Sequence, residues 1–230
     1  MMVSLAQCVP GLAASPPEWP FAEDLVQFRL LYSGNRLTAS DNPKDKHAVR
    51  REFHRQLRRL WSAKPRLRQL ARVYGGTPLR DAGKVSFTDD EATSAYFSKL
   101  GNAYERGGFH FVPLVEESLQ LNVSLDILFL RPDDHPLIQQ GGDLDNRLKT
   151  LFDSLKVPSS TNGLGGHPDE DEEPFFVLLE DDDLITEFKV STDTLLMLPT
   201  HRAFDPKDTF LVIDVKLTIR ERTAKGLAFE

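Results

Sequence analysis

"LQLNVSLDILFL", residues 119 to 130, places Leu119, Leu121, Val123, Leu125, Ile127 and Phe129 at every second position. A period of two sends successive side chains to opposite faces of a strand, so this stretch reads as a β-strand with one buried face. "TFLVIDVKLTIR" (209 to 220) repeats the pattern through Leu211, Ile213, Val215, Leu217 and Ile219. These are the two strongest strands, and the rest of the fold is read outward from them. "LVQFRLLYSG" (25 to 34) is an earlier strand; "LITEFKV" (184 to 190) and the weaker "TLLMLP" (194 to 199) are later ones. "FHFVPLV" (109 to 115) reads as a short edge strand, because Pro113 has no N–H for a central ladder.

Three stretches change to helical period. "NPKDKHAVRREFHRQLRRLW" (42 to 61) opens with Asn42 as N-cap and Pro43 at the first helical position, and Val49, Phe53, Leu57, Leu60 and Trp61 make one apolar face. Pro65 ends or kinks this helix, and Leu67, Leu70, Ala71 and Tyr74 continue a second amphipathic piece before Gly75 and Gly76. "TDDEATSAYFSKLGNAYERGG" (88 to 108) has Thr88 and Glu91 in capping-box spacing and reads as a helix up to Gly107. Together these elements predict an α+β fold, a two-layer α/β sandwich in which a mixed sheet carries helices packed on one face.

At 230 residues, 40% hydrophobic and 27% charged, the chain is long enough for a substantial core and has the profile of a globular protein. No internal repeat and no boundary between two domains is visible. We expect one enlarged domain over residues 23–230, with a basic helical segment at 43–74 and an acidic insertion at 158–174. Residues 1–22 read as a tail or arm, since "MMVSLAQCVPGLAASPPEWP" has no basic n-region and is interrupted by Pro10. The single cysteine, Cys8, excludes an internal disulfide and a cysteine-based zinc site, and fits a reducing cytoplasm. No apolar run approaches membrane-spanning length, so no membrane association is expected. Phosphate-binding P-loops, nucleophile elbows and dinucleotide loops are all missing from the sequence.

The formal net charge of −7 is strongly polarised. Residues 44 to 72 hold eleven Lys or Arg against Asp45 and Glu52. Arg50, Arg51, Arg55, Arg58 and Arg59 occupy much of the circumference that the apolar face of the first helix leaves open, and arginine suits salt-sensitive, sequence-independent phosphate contacts. The alternative is that these arginines pair with the protein's own acids. His47 and His54 on the same helix read as surface or packing residues rather than ligands. At the other pole, residues 169 to 187 hold ten acids and no base. "SSTNGLGGHPDEDEEP" (159 to 174) reads as a surface loop without structure of its own, or else as an element that restricts access or contacts a protein partner.

Two acidic stretches adjoin structured elements. In "GGDLDNRLKTLFDSL" (141 to 155), Leu148, Leu151, Phe152 and Leu155 mark a helix that begins near Asp145, with Asp145 as its N-cap and Asp143 just outside in the loop. Asn146, Lys149 and Asp153 share its polar side. Asp-x-Asp before a helix is common as capping alone. In "FFVLLEDDDLITEFKV" (175 to 190), however, Glu180, Asp181, Asp182 and Asp183 stand between two strand-like runs, and such a concentration of carboxylates is tolerated when solvated or when a hard cation such as Mg²⁺ or Mn²⁺ neutralises it.

"DLDNRLKTLFDSL" followed by "EDDDLITEFKV" resembles the motif pair of the RusA-type Holliday-junction resolvases: Asp-x-Asp-Asn, a lysine three residues on, an apolar helix with an Asp, then acids opening a strand. The resemblance covers residues 121 to 190. It implies a RusA-like fold and Mg²⁺-dependent cleavage of branched DNA by a homodimer, in recombination and repair. Carried over by position, it implies metal-binding aspartates at Asp143 and Asp145, a third catalytic aspartate at Asp182 with Asp181 and Asp183 competing for that role, and an active-site lysine at Lys149. Asn146 would brace a carboxylate or a water, and Asp153 would fix Lys149. The chain departs from the family in its length, in "HPLIQQGG" where basic residues often precede Asp-x-Asp, and in the acidic insertion. Two other readings stay open: a nuclease for flaps or forks, and a non-catalytic nucleic-acid or protein-binding module on the same fold.

Overall fold

The computed structural model describes residues 26–37, 42–75, 89–131, 143–164, 167–196 and 208–219. In chain order the elements are β1 (Val26–Gly34), α1 (Pro43–Ala63), α2 (Pro65–Gly75), α3 (Asp89–Ala103), β2 (Glu105–Arg106), β3 (Phe109–Val115), β4 (Leu121–Arg131), α4 (Asp143–Leu155), β5 (Phe175–Leu179), β6 (Ile185–Thr194) and β7 (Thr209–Ile219). The class is α+β, with two mixed sheets where the sequence predicts one.

The larger sheet has the order β1-β7-β4-β6, antiparallel except for the β4–β6 pair. Its register turns the alternation of β4 and β7 into continuous apolar rows. Leu30 faces Ile213, which faces Ile127, which faces Val190; Tyr32 faces Leu211, and Leu211 faces Phe129. At Leu31 the open edge of β1 is occupied by α1, because Gln56 accepts from the Leu31 N–H at 2.9 Å and donates to its carbonyl at 2.6 Å.

The smaller sheet is β2-β3-β5, with β3 and β5 parallel. β3 is therefore not the edge strand expected from Pro113. The two-residue β2 pairs only with Phe109 and His110, while Pro113 aligns with Val177 on the β5 side, so the proline falls beyond the doubly paired part of the strand. Two further expectations shift. The helix predicted to reach Gly107 stops at Ala103 and is followed by β2. The weak strand at 194–199 is not separate: β6 itself runs to Thr194, Leu195 and Leu196 follow it without strand structure, and 197–199 lie outside the described residues. Thr88, Cys8 and the tail at 1–22 also lie outside them.

One apolar cluster joins both sheets to the helices, with Leu30, Phe53, Leu57, Val115, Ile127, Leu151, Leu155, Leu178 and Ile213 all buried within it. α1 supplies Val49, Phe53, Leu57, Leu60 and Trp61, and its start is fixed by Asn42, whose side chain accepts from the Lys44 N–H. α4 lies near the β6 side, where Phe152 meets Phe188 edge to face with ring centroids 5.4 Å apart.

The acidic insertion is structured where it is described, which corrects the expectation of an unstructured loop. Leu164 is buried in a second apolar cluster with Phe109, Phe111, Val157, Phe175 and Val177. Gly163 has a φ of +82°, and a Cβ there would lie 2.4 Å from the Pro43 Cβ, so only glycine lets the insertion close on the start of α1. Residues Glu170–Glu172 form a 3₁₀ turn with a capping box between Asp169 and Glu172. No helix among the described residues is long and apolar enough to cross a membrane.

Candidate metal centre and nucleic-acid interface

α4 begins at Asp143, two residues earlier than expected, so Asp145 sits inside the first turn instead of capping it, and Asp143 belongs to the helix instead of the preceding loop. Acids in a first turn are still favoured by the exposed N–H groups there. Asp145, Asn146 and Lys149 are exposed. The Asp143 side chain lies outside what is described. Arg147, between them, is buried and donates to the Leu37 carbonyl at 2.7 Å and to Thr209 Oγ1 at 3.4 Å. This pins the start of α4 to the end of the large sheet where β7 opens, opposite the last residues of β4.

The acidic turn belongs to the other end. Asp182–Leu184 forms a 3₁₀ turn between β5 and β6, capped by Asp181, whose side chain accepts from the Asp183 N–H. Ile185, directly after it, pairs with Val123 near the start of β4. Asp181, Asp182 and Asp183 offer carboxylate oxygens that all lie within 4.8 Å of one another. Lys156, which follows the last residue of α4, donates to Asp182 and lies 3.4 Å from Asp181. A parallel bridge between Lys156 and Leu179 and a bond from the Val157 N–H to the Leu179 carbonyl hold it there.

The structure therefore does not bring Asp145 and Asp182 into one cluster. From Asp145 to Leu155 the helix rises roughly 15 Å, and the stretch of β4 from Val123 to Leu130 spans about 23 Å. The two acidic groups lie at opposite ends of both. Asp153 does not fix Lys149 as expected either: its carboxylate pairs with Lys46 of α1 at 2.6 Å.

The charges of the turn are balanced locally. Burial alone would lower the Lys156 ammonium, but Asp182 and Asp181 overcome it and hold the group above its ordinary value. Asp181 is held below the usual carboxylate range, first by its hydrogen bond with Asp182, then by the Asp183 N–H and Lys156, against the opposing effect of burial. The donor set suits a hard divalent cation: three clustered carboxylates, two of them on exposed residues.

The basic helix divides into two roles. Arg50 is 4% exposed and donates to the carbonyls of Asp153 at 2.6 Å and Lys156 at 3.2 Å, the carbonyls that α4 leaves unpaired at its C-terminus. It was expected on the phosphate-gripping face; burial makes it instead a cap for α4. Arg51 reaches Glu172 of the insertion, Nη2 to Oε2 at 3.0 Å with Nε 2.6 Å from Oε1, and Glu172 is buried. Arg58 is exposed but donates to the Asp171 carbonyl at 2.8 Å, and Arg55 lies 3.4 Å from Glu52. Arg55, Arg58 and Arg59 keep the exposure that a phosphate contact needs.

His47 and His54 are buried packing residues. His54 accepts from the Phe176 N–H through Nδ1 at 2.8 Å, so its Nε2–H donates to the Asp171 carbonyl, also at 2.8 Å. His47 packs against Phe109 and Phe175. Of the residues that build this region, Arg147 and Lys156 drew no attention as sequence. Lys156 had one signal, its position directly after the helix that precedes the insertion.

No family model, no curated protein and no solved structure matched the chain when it was compared with each.

Proposed function

We propose that the protein is a divalent-cation-dependent endonuclease that hydrolyses phosphodiesters in branched DNA, with its metal held at the Asp181–Asp183 turn. The observation that carries this reading is the set of three carboxylates within 4.8 Å of one another, two of them on exposed residues, at the mouth of a strand. It is supported by the Asp-x-Asp-Asn and acidic-turn pair of the sequence, with its resemblance to the RusA-type resolvases. Asp181, Asp182 and Asp183 would hold Mg²⁺, with Mn²⁺ as a substitute, and the ion supplies an activated water and charge neutralisation at the phosphate. Lys156 holds Asp182 in place and adds positive charge beside it, while Arg55, Arg58 and Arg59 receive the backbone of the substrate. A homodimer placing two sites on opposite strands, in a cytoplasmic setting, completes the proposal. The exposed acids Asp169, Glu170 and Asp171 are the part of the insertion available to a protein partner.

A second reading, a non-catalytic nucleic-acid-binding module, is favoured by one specific observation: Asp145 and Asp182 stand at opposite ends of α4, and Asp182 is already neutralised by Lys156.

Cleavage of a labelled four-way junction in Mg²⁺ and in EDTA, beside linear duplex and flap controls, separates the readings when Asp182→Asn and Asp145→Asn are assayed in parallel. We expect paired nicks in Mg²⁺ that EDTA and Asp182→Asn abolish. Loss of cleavage in both variants would show that the two acidic ends act as one site in the working enzyme. Binding of the junction without cutting in any metal would establish the module instead.

A further inference from the structure

We infer that the cleft between α3 and the β3–β5 sheet is a binding site for a small organic cation bearing an amine or a guanidinium. It has a volume of about 550 Å³, within the roughly 300–1,000 Å³ typical of small-molecule sites. Neither the acidic turn nor the arginine face of α1 contributes to it.

The sequence of α3 prepares one side of the cleft. Asp90, Ser94, Ser98 and Gly101 recur at helical spacing, so small and polar residues share a face, while Ala92, Tyr96 and Leu100 turn to the core. Gly101 sets the approach of the opposite wall. A Cβ there would lie 2.9 Å from the Cβ of His110 on β3, closer than packed side chains allow, so glycine is what lets His110 stand against the helix. His110 is in turn oriented by Glu173, whose Oε1 is 2.6 Å from Nδ1. The contact with the carboxylate fixes the orientation of the ring in the cleft. Glu173 comes from the end of the acidic insertion, two residues before β5, so the docking of that insertion on α1 also places one wall of the cleft.

The occupant follows from the chemistry of the walls. Asp90 and Glu173 carry negative charge, Ser94, Ser98 and Asn102 offer further acceptors, and no Lys or Arg is among the described residues lining the cleft. Such walls repel phosphate and carboxylate ligands and match a cation with several N–H donors. Phe97 adds an aromatic wall, itself packed edge to face against Trp61 and Phe176, and carboxylates beside an aromatic ring are the usual means of recognising ammonium and guanidinium groups.

The test is a titration of the ¹⁵N-labelled full chain, followed by amide chemical shifts, with agmatine, with a Gly-Arg-Gly peptide and with inorganic phosphate. Agmatine is expected to give saturable shifts confined to α3 and the surroundings of His110. The affinity should fall roughly tenfold in Glu173→Gln, as loss of one charge-assisted hydrogen bond implies. Ser98→Leu, an exposed position whose larger side chain fills the cleft, should abolish the shifts while leaving the rest of the spectrum in place, and Asp182→Asn should leave them unchanged. Stronger binding of the peptide than of agmatine would assign the site to an arginine side chain of a partner; the reverse would assign it to a free small molecule. Absence of saturable shifts at millimolar agmatine, equal shifts with phosphate, or undiminished affinity in Glu173→Gln would overturn the inference.

Discussion

Arg50 carries its charge into a site with 4% exposure, and burial pushes its guanidinium down to about 10, with Asp153 opposing. A charged group tolerates that position only because the carbonyls of Asp153 and Lys156 accept from it. Replacing it strands both acceptors and removes the link between α1 and the end of α4. Arg50→Met is expected to cost about 2–3 kcal/mol in urea denaturation, whereas Arg59→Ala on the exposed side should stay within about 0.5 kcal/mol. The nucleic-acid readout should reverse: Arg59→Ala weakens junction binding and flattens its salt dependence, and Arg50→Met leaves the salt slope unchanged wherever the protein is folded. Equal loss of binding slope in both variants would contradict the proposed division of α1 into a buried side and an exposed side that receives phosphates.

At the scale of elements, α1, the insertion and β5 meet through two neutral histidines. His47 is held far below its ordinary value, down to about 3, first by burial and then by Arg50 and Arg51. Burial lowers His54 as well, against the opposing pull of the Asp171 carbonyl and Glu172, with Arg58 adding to the lowering. A base with a lowered folded value destabilises on the acid side. Above the ordinary value of 6.5 both states are neutral; below it the unfolded chain takes up protons that the fold refuses, and stability is lost progressively, for His47 down to about 3. The urea midpoint is therefore expected to fall between pH 7 and about pH 5, above the range where carboxylates titrate. In His47→Phe, which keeps the aromatic packing against Phe109 and Phe175, the decline should be shallower. An identical pH profile in that variant would show that His47 is not the group responsible.

Across the whole molecule, the sequence was most legible where one element's own pattern decides the outcome. The alternation of β4 and β7 gives the inner rows of the large sheet directly, and Asn42 with Pro43 gives the start of α1. Pairing between distant segments was not legible. "FHFVPLV" and "FFVLL" are continuous apolar runs whose pattern does not say that they pair in parallel as a second sheet, and Glu172 looks like one acid among ten until Arg51 meets it. The candidate site divides the same way. The acids at 181 to 183 stand out in the sequence, but the direction of β5 against α4, fixed by the Lys156–Leu179 bridge, is what takes them away from Asp145. The central claim is that this turn is where the metal binds. Mn²⁺ binding to the full chain, followed by electron paramagnetic resonance with Asp182→Asn and Asp145→Asn beside the unaltered protein, tests it most directly. The account predicts saturable binding that Asp182→Asn loses and Asp145→Asn keeps; binding retained in Asp182→Asn, or lost only in Asp145→Asn, would contradict it.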